Sequence, residues 1–386
     1  MRSAAVEPGR DAPRLRAAPR RGLPAVAVAL VSVSILFVTA AAAQAAAPKS
    51  FFGVVPQTPL SVQDIDRMGQ GEVGTLRFEM FWAGIDPTPA DDYDWSTPDA
   101  IIGGAARNDI KALPFVFSTP PWVTALDGRS CAPGSCAPFA PRKPAALKAW
   151  KNFLGDLTER YGPGGDFWQL NPAIPEMPIR VWQIWNEQNS PSFFKPKPNV
   201  AAYAKLLRSA HDAITKVDPR AEIVLGGMFG TPLGGRKPGI SAWDYLGRLY
   251  DVKGAKKHFD GVAPHPYAAK MDKVLIQIDL LRDEMIAAGD RRTDLWITEI
   301  GWASGGTPNP LNRGLQGQAE RLREMFSYFK RKRNKLGIRS VDWYSWRDNI
   351  SAEAGLCEWC PRSGLFDENL SAKPAWDAFT RFTGGS

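Results

Sequence analysis

From Phe51 onward, short apolar runs alternate with amphipathic stretches eight times over, and this alternation constrains the fold more than any other feature of the chain. The apolar runs lie at 51–56, 73–79, 111–117, 179–187, 222–228, 259–267, 294–302 and 340–348. Helical patterns fall at about 61–69, 97–108, 144–161, 199–217, 241–252, 272–288, 314–336 and 373–382. The fourth of these opens at Asn199, a residue that caps helices, and is stopped by Asp218-Pro219, because the residue before proline resists the helical region. Eight strand-then-helix units predict an α/β fold, a single-domain (β/α)8 TIM barrel over residues 48–386. The competing open sheet would carry a glycine-rich phosphate loop after its first strand, and Pro56-Gln57-Thr58-Pro59 is nothing like one.

The first 47 residues differ in kind from the rest. Arg14, Arg16, Arg20 and Arg21 precede an apolar stretch from Leu23 to Ala43 that runs into Ala43-Gln44-Ala45, the pattern of a secretory signal peptide cut near Ala45. The alternative is an uncleaved anchor, since the apolar run approaches the length of a bilayer span. Arg20-Arg21 also fits a twin-arginine signal, on weak evidence. Six arginines against Glu7 and Asp11 give this segment +4 of the formal net charge of +8, leaving +4 for the remainder. That balance does not argue for nucleic acid as a partner, and no motif supports it. The basic run Lys330 to Lys335 sits where a helix should end, where cations complement its dipole. The four cysteines form two local couples, Cys131 with Cys136 and Cys357 with Cys360. In an exported protein these read as two loop-stapling disulfides, with a four-thiolate zinc site as the alternative.

Two of the apolar runs end in carboxylates: Ile-Arg-Val-Trp-Gln-Ile-Trp-Asn-Glu at 179–187 and Asp-Leu-Trp-Ile-Thr-Glu-Ile-Gly-Trp at 294–302. In a parallel barrel the C-terminal strand ends open into the active site, so Glu187 and Glu299 should face one pocket. Two carboxylates flanking one site can break a glycosidic bond, one as acid and the other as nucleophile or base. Other chemistries are excluded by motif: there is no His-Glu-x-x-His helix, no Gly-x4-Gly-Lys loop and no Gly-x-Ser-x-Gly elbow. With histidine only at 211, 258 and 265, no metal and no cofactor is expected.

The motif pair Asn186-Glu187 on the fourth strand and Glu299 on the seventh resembles the large clan of retaining glycoside hydrolases that includes families 5, 39 and 51, across the whole layout of the chain. The resemblance implies that Glu187 is the acid/base and Glu299 the nucleophile. It further implies that Arg77 binds the nucleophile, that Asn186 contacts the sugar 2-hydroxyl, and that His265 touches the sugar. Tyr267 would steady the nucleophile and Trp346 would form the platform beneath the sugar to be cleaved. An apolar setting near Trp182 and Trp185 would keep Glu187 protonated. Trp82, Trp122, Trp302 and Trp343 are further cleft candidates by position among fourteen tryptophans. Gln188 stands where many of these enzymes have proline, which blurs the exact family. Tyr93-Asp94-Trp95-Ser96 and Ser118-Thr119-Pro120-Pro121-Trp122 are more similar to family 39 and its neighbours than to typical cellulases.

The expectation is therefore a secreted glycosidase acting on β-linked poly- or oligosaccharides or glycosides, with carbohydrate as its partner. Transglycosylation on the same fold, or a catalytically silent carbohydrate-binding barrel, are the alternatives. Loops at 118–143, 188–198, 229–240, 303–313 and 349–372 follow strands and should shape the cleft.

Overall fold

The computed structural model describes residues 46–90, 92–132, 134–230, 239–352 and 357–386. The expected leader lies outside them, apart from Ala46 and Ala47. Eight strands occupy the expected places: β1 (Phe52–Val55), β2 (Thr75–Phe81), β3 (Lys111–Phe117), β4 (Val181–Asn186) and β5 (Glu222–Phe229), then β6 in two pieces (Gly261–Val262 and Pro264–His265), β7 (Asp294–Ile300) and β8 (Ile338–Tyr344). All pairings between them are parallel. The order runs β4, β3, β2, β1, β8, β7, β6, β5, and β5 pairs back to β4 from Val181↔Glu222 to Asn186↔Gly227, closing the barrel. β6 is broken around Pro264, whose nitrogen has no proton for the ladder.

The outer helices are α1 (Val62–Gln70), α2 (Ser96–Arg107), α3 (Pro144–Tyr161), α4 (Val200–Val217), α5 (Ala242–Tyr250), α6 (Met271–Ala287), α7 (Gly314–Leu336) and α8 (Pro374–Thr383). Local chemistry sets their ends. Ser61 and Asp64 form a capping box on α1, with Asp64 N donating to Ser61 Oγ at 3.2 Å and Ser61 N donating to Asp64 Oδ2 at 2.8 Å. Asn199 caps α4 by accepting from Ala202 N at 2.9 Å. α7 stops at Gly337, whose φ of 58° is the left-handed conformation that glycine adopts without cost, and Arg333 and Lys335 lie in its last turn as the charge run predicts. Short helices that the sequence did not announce occur at Trp82–Ile85, Pro121–Leu126 and Asp166–Leu170. Among the described residues, no helix is long and apolar enough to cross a membrane. The four thiols are joined as Cys131–Cys136 and Cys357–Cys360.

Side chains of Trp82, Trp150, Phe153 and Trp185 fill the space between sheet and helices, with ring centroids 5.2 to 6.3 Å apart. The lumen is less usual, because polar groups occupy it where branched aliphatics are the norm. Arg77, Gln183, Thr298, Ser340 and Asp342 are all wholly buried. Burial pushes the Asp342 carboxyl well above its ordinary pKa, and Ser340 Oγ lies 3.3 Å from its Oδ2. Gly53 on β1 makes room for it, since a Cβ there would stand 2.0 Å from Asp342 Oδ1 and 2.8 Å from the Thr75 carbonyl oxygen. Gly53→Ala is expected to destabilise the fold by about 1–3 kcal/mol through overpacking of the β1–β8 seam, and thermal denaturation measures it.

Candidate active site

The site assembles at the C-terminal ends of β4, β6 and β7, with Arg77 reaching into it from the middle of β2. β4 delivers Asn186 and Glu187 through an unusual turn, with Trp185 at φ 75° and Glu187 at φ 41°. Left-handed backbone at two non-glycine residues is strained, and such strain collects where a side chain must be aimed. Here it turns Glu187 into the barrel mouth, while Glu187 N donates to the Gly227 carbonyl at 2.7 Å. Gln188 and Asn189, both wholly buried, lock the turn to β5 and its loop: Gln188 Nε2 donates to Gly226 O at 3.0 Å, and Asn189 Nδ2 to Phe229 O at 2.9 Å. β6 delivers His265, whose ring lies against Gly227, where a Cβ would stand 1.8 Å from Nε2.

Arg77 reaches across the lumen from β2. Its Nε donates to Gln183 Oε1 at 2.6 Å, Nη2 to Asn186 Oδ1 at 2.9 Å and Nη1 to Glu299 Oε1 at 2.6 Å. Phe115 stacks beneath the guanidinium at 4.1 Å. The second oxygen of Glu299 accepts from Tyr267 OH at 2.8 Å. His265 Nδ1 lies 3.0 Å from Glu187 Oε1 and 3.5 Å from Glu299 Oε2, and its Nε2 lies 3.0 Å from Thr298 Oγ1. Six of the seven residues expected from sequence, namely Arg77, Asn186, Glu187, His265, Tyr267 and Glu299, therefore form one connected group.

The two carboxyls differ electrically. Burial raises the Glu187 pKa, the Glu299 charge adds to the rise, and the contact with His265 only partly opposes it. Burial acts on Glu299 in the same sense but is outweighed by His265, Arg77 and Tyr267, so its pKa is lowered. Trp185, expected to enclose Glu187, is instead wholly buried between sheet and helices, its ring 4.8 Å from Phe117 and 6.3 Å from Trp150 of α3 and its Nε1 bound to Phe193 O. One protonated and one ionised carboxyl facing each other can donate a proton to one atom while attacking its neighbour.

Trp346 is placed differently from the expectation. β8 ends at Tyr344, and Trp346 beyond it is wholly buried, with Nε1 donating to Asp64 Oδ1 at 2.8 Å and the ring packed on Phe366 and Trp376. It keeps no face free for a sugar. The aromatic residue that β8 brings to the site is Tyr344, two positions beyond Asp342 on the inward face and electrostatically coupled to both glutamates. Trp82, Trp302 and Trp343 are likewise wholly buried with bonded indoles, whereas Trp122 is partly exposed and donates to Asp86 O.

Glu79 lies two residues beyond Arg77, and the period of two places it on the same strand face. It opens to solvent, accepts a hydrogen bond from Ser118 Oγ, and has its pKa raised by the protein that encloses it on the other sides. Among the described residues, two groups of side chains bring ligating atoms within 4.8 Å of one another: Glu187, His265 and Glu299 in the site, and His211, Asp212 and His258 at the surface. Arg77 already neutralises the first group, and Arg208 lies 3.9 Å from Asp212 in the second. A cavity of about 870 Å³ opens at the other end of the barrel, but its carboxylates Glu222 and Asp294 both pair with Arg339, at 3.5 and 3.2 Å.

No known protein-family profile matches the chain, and no curated protein does. Solved structures do match. The chain has the fold of known glycoside hydrolases. A family 39 glycoside hydrolase from Bacteroides cellulosilyticus WH2 is 18% identical with a TM-score of 0.58, over 87% of this chain and 64% of that one. A monomeric β-xylosidase from Caulobacter crescentus CB15 is 16% identical at 0.59, over 87% and 69%. Xylanase 10B of Thermotoga maritima is also 16% identical at 0.59, over 87% and 96%. The chain thus spans under two thirds of the length of the family 39 neighbour. At such identities the likeness establishes the (β/α)8 architecture.

Trp346→Phe is expected to cost about 1–3 kcal/mol of stability, because Asp64 Oδ1 loses a buried donor. Thermal melts measure that loss, and KM for any substrate should stay unchanged.

Proposed function

We propose that this protein is an exported retaining glycoside hydrolase that cleaves O-glycosidic bonds of β-linked saccharides or glycosides. The observation that carries the reading is the approach of the two carboxyls, an oxygen of Glu187 lying within 4.8 Å of an oxygen of Glu299. Retaining enzymes place their carboxyls about 5–5.5 Å apart, whereas inversion needs roughly 6.5–9.5 Å to admit a water. The opposite pKa shifts support the division of roles. Glu187 protonates the departing oxygen while ionised Glu299 attacks the anomeric carbon, forming a glycosyl-enzyme ester. Glu187, now a carboxylate, takes a proton from water, whose oxygen displaces Glu299. Arg77 and Tyr267 hold one Glu299 oxygen each, and Asn186, fixed by Arg77, is positioned to meet the sugar 2-hydroxyl. Names of the structural neighbours, a β-xylosidase and a xylanase, make β-xylosides a first choice of substrate. The two disulfides suit an oxidising compartment, which supports reading residues 1–47 as an export leader.

A panel of aryl β-glycosides and plant polysaccharides tests the assignment. Hydrolysis by wild type is expected to vanish in Glu299→Gln, and binding without turnover by wild type would overturn the enzymatic reading. Glu187→Ala should lose roughly 10²–10⁴-fold on substrates with poor leaving groups, where protonation matters most. Added azide should restore turnover of activated aryl glycosides and yield the β-glycosyl azide, while release of the inverted anomer by wild type would refute retention.

The pH profile follows from the directions of the shifts. Activity should fall on the acid side as Glu299 takes up a proton and on the alkaline side as Glu187 loses one, giving a bell for the coupled pair. In Glu187→Ala the alkaline limb should disappear when kcat/KM is measured on an activated substrate.

A further inference from the structure

Tyr267, which binds the nucleophile candidate, lies two residues past the end of β6, outside regular structure. Its ring meets those of His265, Tyr344 and Trp359, and the closest of the three is Trp359, set edge-on with centroids 4.9 Å apart. Trp359 also meets Tyr344 at 6.0 Å. This tryptophan is 7% exposed, so it has no face on which a sugar could stack. It sits in Cys357-Glu358-Trp359-Cys360, flanked by the two halves of one disulfide. The loop is tied down beyond the disulfide: the Cys360 carbonyl accepts from Gln57 Nε2 at 2.9 Å and from Ser363 Oγ at 2.7 Å. Gln57 in turn accepts from Tyr344 OH at 3.3 Å. Closing so short a loop removes less unfolded-chain entropy than closing a long one, so the main effect of this bond is local.

We propose that the Cys357–Cys360 loop is a positioning device for Glu299, with Trp359 as the positioning residue that acts through Tyr267. The proposal rests on the glycosidase reading for its kinetic consequences. With Trp359 in place, the Tyr267 hydroxyl is directed at Glu299 Oε2 and helps hold that carboxyl ionised. Without it the ring is free to turn, and the donated bond is lost for part of the time. The second disulfide, Cys131–Cys136, serves as the control, since the hydrogen bond of its Cys136 sulfur is to Ala132 within its own loop.

The experiment compares Trp359→Ala, the double variant Cys357→Ser/Cys360→Ser, the control double variant Cys131→Ser/Cys136→Ser, and Tyr267→Phe. In the first two, kcat on an activated aryl glycoside should fall roughly ten- to a hundredfold, the range for a hydrogen bond to a charged group, with KM little changed. The acid limb of the pH profile should move to higher pH, because Glu299 loses a contact that lowers its pKa. Trp359→Ala combined with Tyr267→Phe should be no slower than Tyr267→Phe alone, as expected of residues that act in series. Trp359→Phe, which keeps an aromatic edge, should retain the wild-type profile. An unmoved acid limb, an additive double variant or a loss confined to KM would each overturn the proposal. Carbon-13 NMR titration of labelled glutamate, with the Glu299 signal assigned by its disappearance in Glu299→Gln, reads the same shift without turnover. If wild type cleaves no glycoside, the glycosidase reading fails, while the titration still decides whether Trp359 and the disulfide set the Glu299 pKa.

Discussion

A single guanidinium organises this barrel. Arg77 is wholly buried in the lumen, where an unpaired charge would cost several kcal/mol, and its burial is tolerable because each direction of its fork finds an acceptor. Gln183 takes Nε, Asn186 takes Nη2, Glu299 takes Nη1, and Phe115 covers the face. These partners come from β3, β4 and β7, so one side chain from β2 ties together strands that are far apart in the chain. The polar lining of the lumen follows from the same charge, since an aliphatic lumen would leave it unpaired.

The electrical difference between the two glutamates rests on His265, on this guanidinium and on Tyr267. Both are enclosed and both are near His265, but only Glu299 lies on the guanidinium and beneath a tyrosine hydroxyl. Burial raises the Glu187 pKa and the charge of Glu299 adds to the rise, which the contact with His265 only partly opposes. The strained backbone at Trp185 and Glu187 is the local consequence of bringing a strand-end side chain round to face its counterpart.

Much of this was legible in the sequence because it depends on periodicity and on strand ends. Eight apolar runs predicted eight strands, and the carboxylates closing the fourth and seventh arrived in one pocket because every strand of a parallel barrel points the same way. Arg77, Asn186, His265, Tyr267 and Trp346 followed instead from the resemblance to the glycoside hydrolase clan, strand by strand. Trp346 lies elsewhere because the eighth apolar run outlasts the strand, and past Tyr344 the period of two no longer says which way a side chain points. Tyr344 was legible in principle, by counting from Asp342.

The sequence by itself determined the barrel, the order of its parts and the identity of the residues at the strand ends, since hydrophobic period and capping chemistry are local properties. Tertiary structure alone decided which tryptophans are core, because an indole reads the same whether it faces Asp64 or solvent. It alone decided that the two glutamate pKa values move in opposite directions, because that depends on burial and on His265, Arg77 and Tyr267, which reach Glu299 from other parts of the chain. The placement of Trp359 against Tyr267 is of the same kind, since loop residues follow no period and meet their partners only when the chain has closed on itself.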